Sequence, residues 1–176
     1  MGTVADYEEG VKDALAAPRD PNLKPQVFLG GSCNPTTWRA DVAIPELDAA
    51  GVAYYNPQVD DWSPELAAVE TAAKATSAVL LFVVDSKTRA ITAILEATEY
   101  TVAGRLVVLA VEDVPDGTVI RGQKVTGEEL KDLNRARAYL RELAGRYVNA
   151  HLFGSVEKAV RVAAREAAEL AAAPTA

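Results

Sequence analysis

The stretch GGSCNPTTWR, residues 30 to 39, leaves an apolar run through two glycines into hydroxyls, an amide, a thiol and a guanidinium. Gly30 and Gly31 permit close approach of the backbone, and the amides after them, with Ser32, Thr36 and Thr37, could donate to an anion at a helix start. Asn34 adds a side-chain amide. Arg39, and Arg89 further on, could each grip a phosphate through two parallel hydrogen bonds. A second polar stretch, YYNPQVDDW, sets Asn56, Gln58, Asp60 and Asp61 among aromatic rings able to stack on a base or sugar. Carboxylates suited to nucleophilic attack or proton transfer are Glu96 and Glu99, provided that their helix begins close to Thr92. A plain structural reading stands beside each: glycines that only turn the chain, an Arg39 solvated on its helix, a Trp62 that packs, and a Thr92, Glu96 and Glu99 face turned to water. Together the donors describe a site for a small polar molecule, a nucleoside or nucleotide, with a phosphate ester as the rival.

These residues need a scaffold, and the hydrophobic pattern supplies one. Short runs rich in Val, Leu or aromatics predict strands over 26–29, 52–55, 78–84, 106–111 and 148–153. Segments of helical period lie between and after them, at 37–50, 64–75, 90–103, 127–145 and 155–172. Ser63 before Pro64, Thr126 with Glu129, and Ser155 mark helix starts, the second pair as a capping box. In the helix over 90–103, positions 91, 94, 95, 98 and 102 form the expected apolar face. Strict alternation of strand and helix implies parallel pairing through helical crossovers. The expected fold is a three-layer α/β/α sandwich, its five-stranded parallel sheet flavodoxin-like or Rossmann-like with order 2-1-3-4-5. In such sheets ligands sit beyond the carboxyl ends of the strands, where the loops after the first three strands are the polar ones.

The chain has 176 residues and a net charge of -7, enough for one well-buried core but unsuited to tracking a nucleic-acid backbone. One cysteine, Cys33, and one histidine, His151, leave no disulfide framework and no structural zinc cluster, so neither metal nor cofactor is expected. The longest apolar run, 78–84, is too short to cross a bilayer, and the acidic N-terminus has no signal-peptide pattern, so a cytoplasmic location is expected. Residues 1–24 read as an N-terminal extension, 25–172 as the domain and 173–176 as a tail.

Over residues 26 to about 112 the chain resembles the nucleoside 2-deoxyribosyltransferase superfamily, which includes nucleotide N-glycoside hydrolases. The resemblance rests on FLGGSCNPTTW, YNPQ, TRAI and EATEYTVAGRLVVLAV, where Glu96 is followed by Gly104, Arg105 and an apolar strand. It implies attack by Glu96 on an anomeric carbon, departure of a free base, and completion by a second base or water. It implies a second carboxylate that protonates the base, with Glu70 the nearest match and Asp85 the competitor. Ser32 and Arg39 match the neighbourhood that binds a 5′-phosphate in nucleotide-hydrolysing relatives. A homodimer or larger assembly is implied too, since relatives complete their sites with residues of a neighbouring subunit.

Other readings stay open at this point. A nucleotide-binding or sensing module would keep the pocket without turnover. Cys33 and Arg39 satisfy C-x5-R, the phosphate loop of tyrosine phosphatases, although Pro35 removes one backbone donor from that loop. A flavin phosphate is a further candidate for the hydroxyl-rich loop. No G-x-G-x-x-G follows any strand, and Gly30 and Gly31 stand where a receiver domain needs acids.

Overall fold

The computed structural model describes residues 26–59, 63 and 66–173. Strand β1 (Gln26–Gly31) is followed by a π-helical turn (Arg39–Ala43) that runs into helix α1 (Ile44–Ala49), then β2 (Ala53–Tyr55) and α2 (Leu66–Thr76). Next come β3 (Val79–Val84), α3 (Ile91–Val102), β4 (Val107–Val111), a hairpin of β5 (Val119–Ile120) and β6 (Gln123–Lys124), α4 (Gly127–Ala144), β7 (Ala150–Phe153) and α5 (Val156–Ala172). Pro45 lies in the first turn of α1 and lacks an amide proton, which accounts for the wider turn before it.

The main sheet has order β2-β1-β3-β4-β7, and every pair in it is parallel. This is the expected 2-1-3-4-5 with the fifth strand renumbered by the hairpin. The two faces of β3 divide the core: Val79, Leu81 and Val83 join Trp38, Leu47 and the alanines of α5 on one side. Leu80, Phe82 and Val84 join Phe28, Ala93, Ala97, Tyr100 and Leu140 on the other. Helices α1 and α5 therefore cover one face, and α2, α3 and α4 cover the other. All six residues of β3 are buried, which is why its sequence shows no period-two alternation.

Three expectations need correction. The inward face of α3 is Ala93, Ala97, Tyr100 and Thr101, whereas Ile91, Leu95 and Val102 point to solvent and Ile94 is half-covered. Small residues let α3 settle onto the sheet, and Phe28 and Phe82 fill the volume beneath. Thr126 makes no side-chain cap, and the Glu129 carboxylate that would complete the box pairs with Arg89 instead. The β5–β6 hairpin is an addition, closed by Arg121 and Gly122 at φ 51° and 76° over Val114, Ile120 and Val125. Ser155 does cap α5, accepting from the Lys158 amide at 3.3 Å. The extension 1–24, Asp60 to Trp62 and the cap at Pro64 lie outside the described residues.

Candidate active site

The glycine pair ends β1 where two main chains come together. Gly31 has φ +113°, and a Cβ on it would strike the main chain of Val83; on Gly30 it would overlap the Phe82 ring. Their first requirement is thus packing against β3. The next residues turn inward: the Ser32 carbonyl accepts from Thr36 Oγ1 at 3.1 Å, Trp38 Nε1 at 3.0 Å and Arg39 Nη1 at 2.7 Å. Arg39 also donates from Nε to Leu29 O at 2.9 Å and from Nη2 to Gly31 O at 3.4 Å, and its carbon Cζ lies 4.4 Å from the Trp38 ring centroid. This guanidinium is buried and committed to the strand end, so the loop is held by it rather than holding a phosphate with it. Burial lowers its pKa, against the pull of Cys33, Asp85 and Glu70. Thr37, on the outside, donates to Asp41 at 2.5 Å.

Across the sheet's switch point lies the loop after β3. Ser32 Oγ accepts from the Asp85 amide at 3.1 Å and from Thr88 Oγ1 at 2.7 Å, so the first and third loops are tied directly. Asp85 Oδ1 accepts from the Lys87 amide at 3.0 Å. Burial pushes the Asp85 carboxyl above its ordinary range, opposed by its hydrogen bonds from Lys87, Ser32 and Thr88 and reinforced by Glu112. Arg89 points the other way, to Glu129 at 2.8 Å and Gln123 at 3.0 Å, and fastens this loop to the hairpin region.

The strongest fastening was not legible beforehand. Arg137 of α4 is fully buried and collects carbonyls: Glu112 at 2.9 Å, Thr88 at 2.8 Å, Asp85 at 3.0 Å and Leu133 at 3.2 Å. Burial lowers its pKa, opposed by Asp85 and Asp113. Its only sequence signal is a charge on the stripe Leu133, Arg137, Leu140, Ala144. In the second loop Gln58 Nε2 donates to Asn34 Oδ1 at 2.6 Å, and the Gln58 amide donates to Asn56 Oδ1 at 3.0 Å. Asn34 and Asn56 thus meet through Gln58, while Asp61 lies outside the described residues.

The carboxylates assemble on the face covered by α2 and α3. Lys74 of α2, its side chain 6% exposed, donates to Glu96 Oε1 and stands 4.0 Å from Glu70 Oε2. Its Nζ lies 5.3 Å from the Phe28 ring centroid and 5.9 Å from that of Tyr100, and Phe28 stacks on Tyr55 at 5.7 Å. Glu96 and Glu70, with side chains 24% and 19% exposed, keep partial contact with solvent beside this buried ammonium. Glu70 and Glu96 are therefore brought together by a lysine that sequence reasoning passed over; its cue was an i,i+4 acid-base pair on α2. Glu99 is exposed, apart from this cluster. An open groove of about 450 Å³ between α3 and α4, lined by Ile94, Tyr139 and Leu143, shares none of these residues. Among the described residues no cluster of His, Cys, Asp or Glu is arranged for a metal ion, and no helix is long and apolar enough to cross a membrane.

A flavo di-iron protein mutant from Thermotoga maritima is similar in structure at 14% sequence identity and a TM-score of 0.44, and the match covers 94% of this chain and 39% of that one. No curated protein sequence matches the chain. The family model described as nucleoside 2-deoxyribosyltransferase like matches residues 24–114, from the approach to β1 through β4 and the loop that follows it. That span holds Ser32, Glu70, Lys74, Asp85 and Glu96 and is just over half the chain, which belongs to the nucleoside 2-deoxyribosyltransferase-like family.

Proposed function

We propose that the protein acts on the N-glycosidic bond of a nucleoside or nucleotide, transferring the sugar to a second base or to water. The observation that carries this reading is Glu96: a partly exposed carboxylate on α3, the helix that follows β3, held by the buried Lys74 of α2. In the first step Glu96 bonds to the anomeric carbon as the carbon-nitrogen bond breaks, and the base leaves with the electron pair and gains a proton. In the second, water or another base attacks that carbon, the bond to Glu96 breaks back to the carboxylate, and the attacking group gives up its proton. Glu70, which shares Lys74 with Glu96, suits the acid; Asp85, whose carboxyl burial raises, is the competitor. Asn34, Asn56 and Thr37 supply polar contacts for sugar or base, and the half-buried Tyr55, stacked on Phe28, an apolar surface.

We assign the working form as a homodimer. The stripe of Ile91, Leu95 and Val102 along α3, with Val69 on the neighbouring α2, is apolar surface of the kind a second copy covers. The reading takes the chain as cytoplasmic, in keeping with a single thiol, Cys33, that stays free.

Chromatography of free bases tests the reaction: ribo- and deoxyribonucleosides and their 5′-monophosphates are incubated with the native chain and with Glu96→Ala, with and without a second base. Release or exchange that Glu96→Ala abolishes is expected. Its absence across the panel overturns the reading. A second reading, binding without turnover, is favoured by the ion pair itself, since Lys74 neutralises the attacking group. Ligand-induced thermal stabilisation without base release would establish it.

A further inference from the structure

Lys74 contacts the candidate nucleophile through one oxygen only, Oε1. It also stands 4.0 Å from Glu70 and lies over the faces of Phe28 and Tyr100. The ammonium is buried, whereas both carboxylates keep partial contact with solvent. We propose that Lys74 is a positioning residue that presents Glu96 Oε2 to the sugar and keeps the sugar-enzyme ester short-lived. This inference rests on the glycosidic reading above.

The argument is one of charge balance. When Oε2 bonds to the anomeric carbon, the carbon-nitrogen bond breaks and Glu96 changes from a carboxylate to a neutral ester. Lys74 then loses its nearest counter-charge while it stays enclosed among aromatic rings. Attraction in a site of low polarity is strong, so this loss disfavours the ester relative to the free carboxylate. The same attraction favours the second step, in which the bond to Oε2 breaks, its electron pair returns to Glu96, and water or a base takes the sugar and releases a proton. The lysine therefore slows loading and hastens unloading, and the free enzyme is the state that predominates during turnover. Glu70 supplies a second, more distant anion, which keeps Lys74 in place while the ester exists.

The test is acid quenching at steady state followed by intact-mass measurement of the fraction of chain that carries one sugar unit, with base release followed in parallel. In the native chain that fraction is expected to be minor. In Lys74→Met and Lys74→Gln the ratio of ester formation to ester breakdown is expected to rise about tenfold, the change that ~1.4 kcal/mol of lost charge coupling produces. Lys74→Arg keeps the charge and is expected to hold the ratio near the native value, which a purely space-filling lysine would not require. An unchanged or lower ratio in the neutral variants, with base release still dependent on Glu96, overturns the inference and leaves the glycosidic reading standing. Stoichiometric ester in the native chain overturns it without any variant. Absence of both ester and base release in the native chain overturns both.

Discussion

Arg137 Nη2, on α4, donates at 3.0 Å to the main-chain carbonyl of Asp85, a residue 52 positions earlier at the end of β3. The same guanidinium reaches Thr88 and Glu112, so one side chain closes the loop after β3 against the end of β4. Replacing it with leucine removes this donor from the buried carbonyl of Asp85 and the part-buried ones of Thr88 and Glu112. Arg137→Leu is expected to lower unfolding stability by about 3 kcal/mol or more, read from urea denaturation. Lysine, with a point charge in place of a fork, is expected to recover only part of that loss.

Gly31→Ala is the corresponding test on β1. The added methyl meets the main chain of Val83, and φ +113° is foreign to alanine. A loss of about 3 kcal/mol or more is expected. A variant as stable as the native chain would show that β1 and β3 can part at this point.

Asp85 sets a pH dependence. Burial raises its folded carboxyl above the ordinary aspartate range, so the folded chain holds this proton more tightly than the unfolded chain. The group therefore favours folding most at acid pH, and its contribution declines as pH rises from about 4 to the raised folded value. Asp85→Asn does not titrate. Its stability relative to the native chain should climb across that window and level off above it, which urea titrations at successive pH values would show. A falling difference would reverse the sign of the argument.

Leu95 is 65% exposed on the outer stripe of α3. Leu95→Glu is expected to halve the mass seen in sedimentation velocity if that stripe joins two copies. The isolated fold should change by no more than about 0.5 kcal/mol, because the side chain packs against little within its own chain. An unchanged dimer would move the interface elsewhere.

Cys33→Ser separates the glycosidic reaction from a thiol phosphatase. Base release should persist in this variant, and neither chain should hydrolyse an aryl phosphate. Arg39, the other half of the C-x5-R pattern, is bonded to the carbonyls of Leu29, Gly31 and Ser32.

The frame of the fold was legible because its signals are local. Alternating apolar runs and helical periods predicted parallel strands joined by helical crossovers, whereas the two glycines that end β1, read as facing a ligand, are required first by β3. What escaped depends on tertiary contact. The periodicity of α3 favours its large residues as the buried face, yet Ala93 and Ala97 face inward because Phe28 and Phe82 already fill that space. Arg39 carried no sign of burial, and Arg137 only its place on an apolar stripe, since their acceptors are main-chain carbonyls that any residue would supply. Lys74 was overlooked for a related reason: its partner Glu96 lies 22 positions away, and only the packing of α2 beside α3 makes them neighbours. The β5–β6 hairpin turns on Arg-Gly, a weaker signal than Asn-Gly.

The two buried arginines fasten backbone, from opposite layers of the sandwich, and that separates two evolutionary fates within the same loops. Side chains at Asn34 and Thr37 can be exchanged without disturbing what Arg39 and Arg137 hold, because a carbonyl persists through every substitution. A lineage with this architecture is free to retune which molecule it accepts while its scaffold stays put.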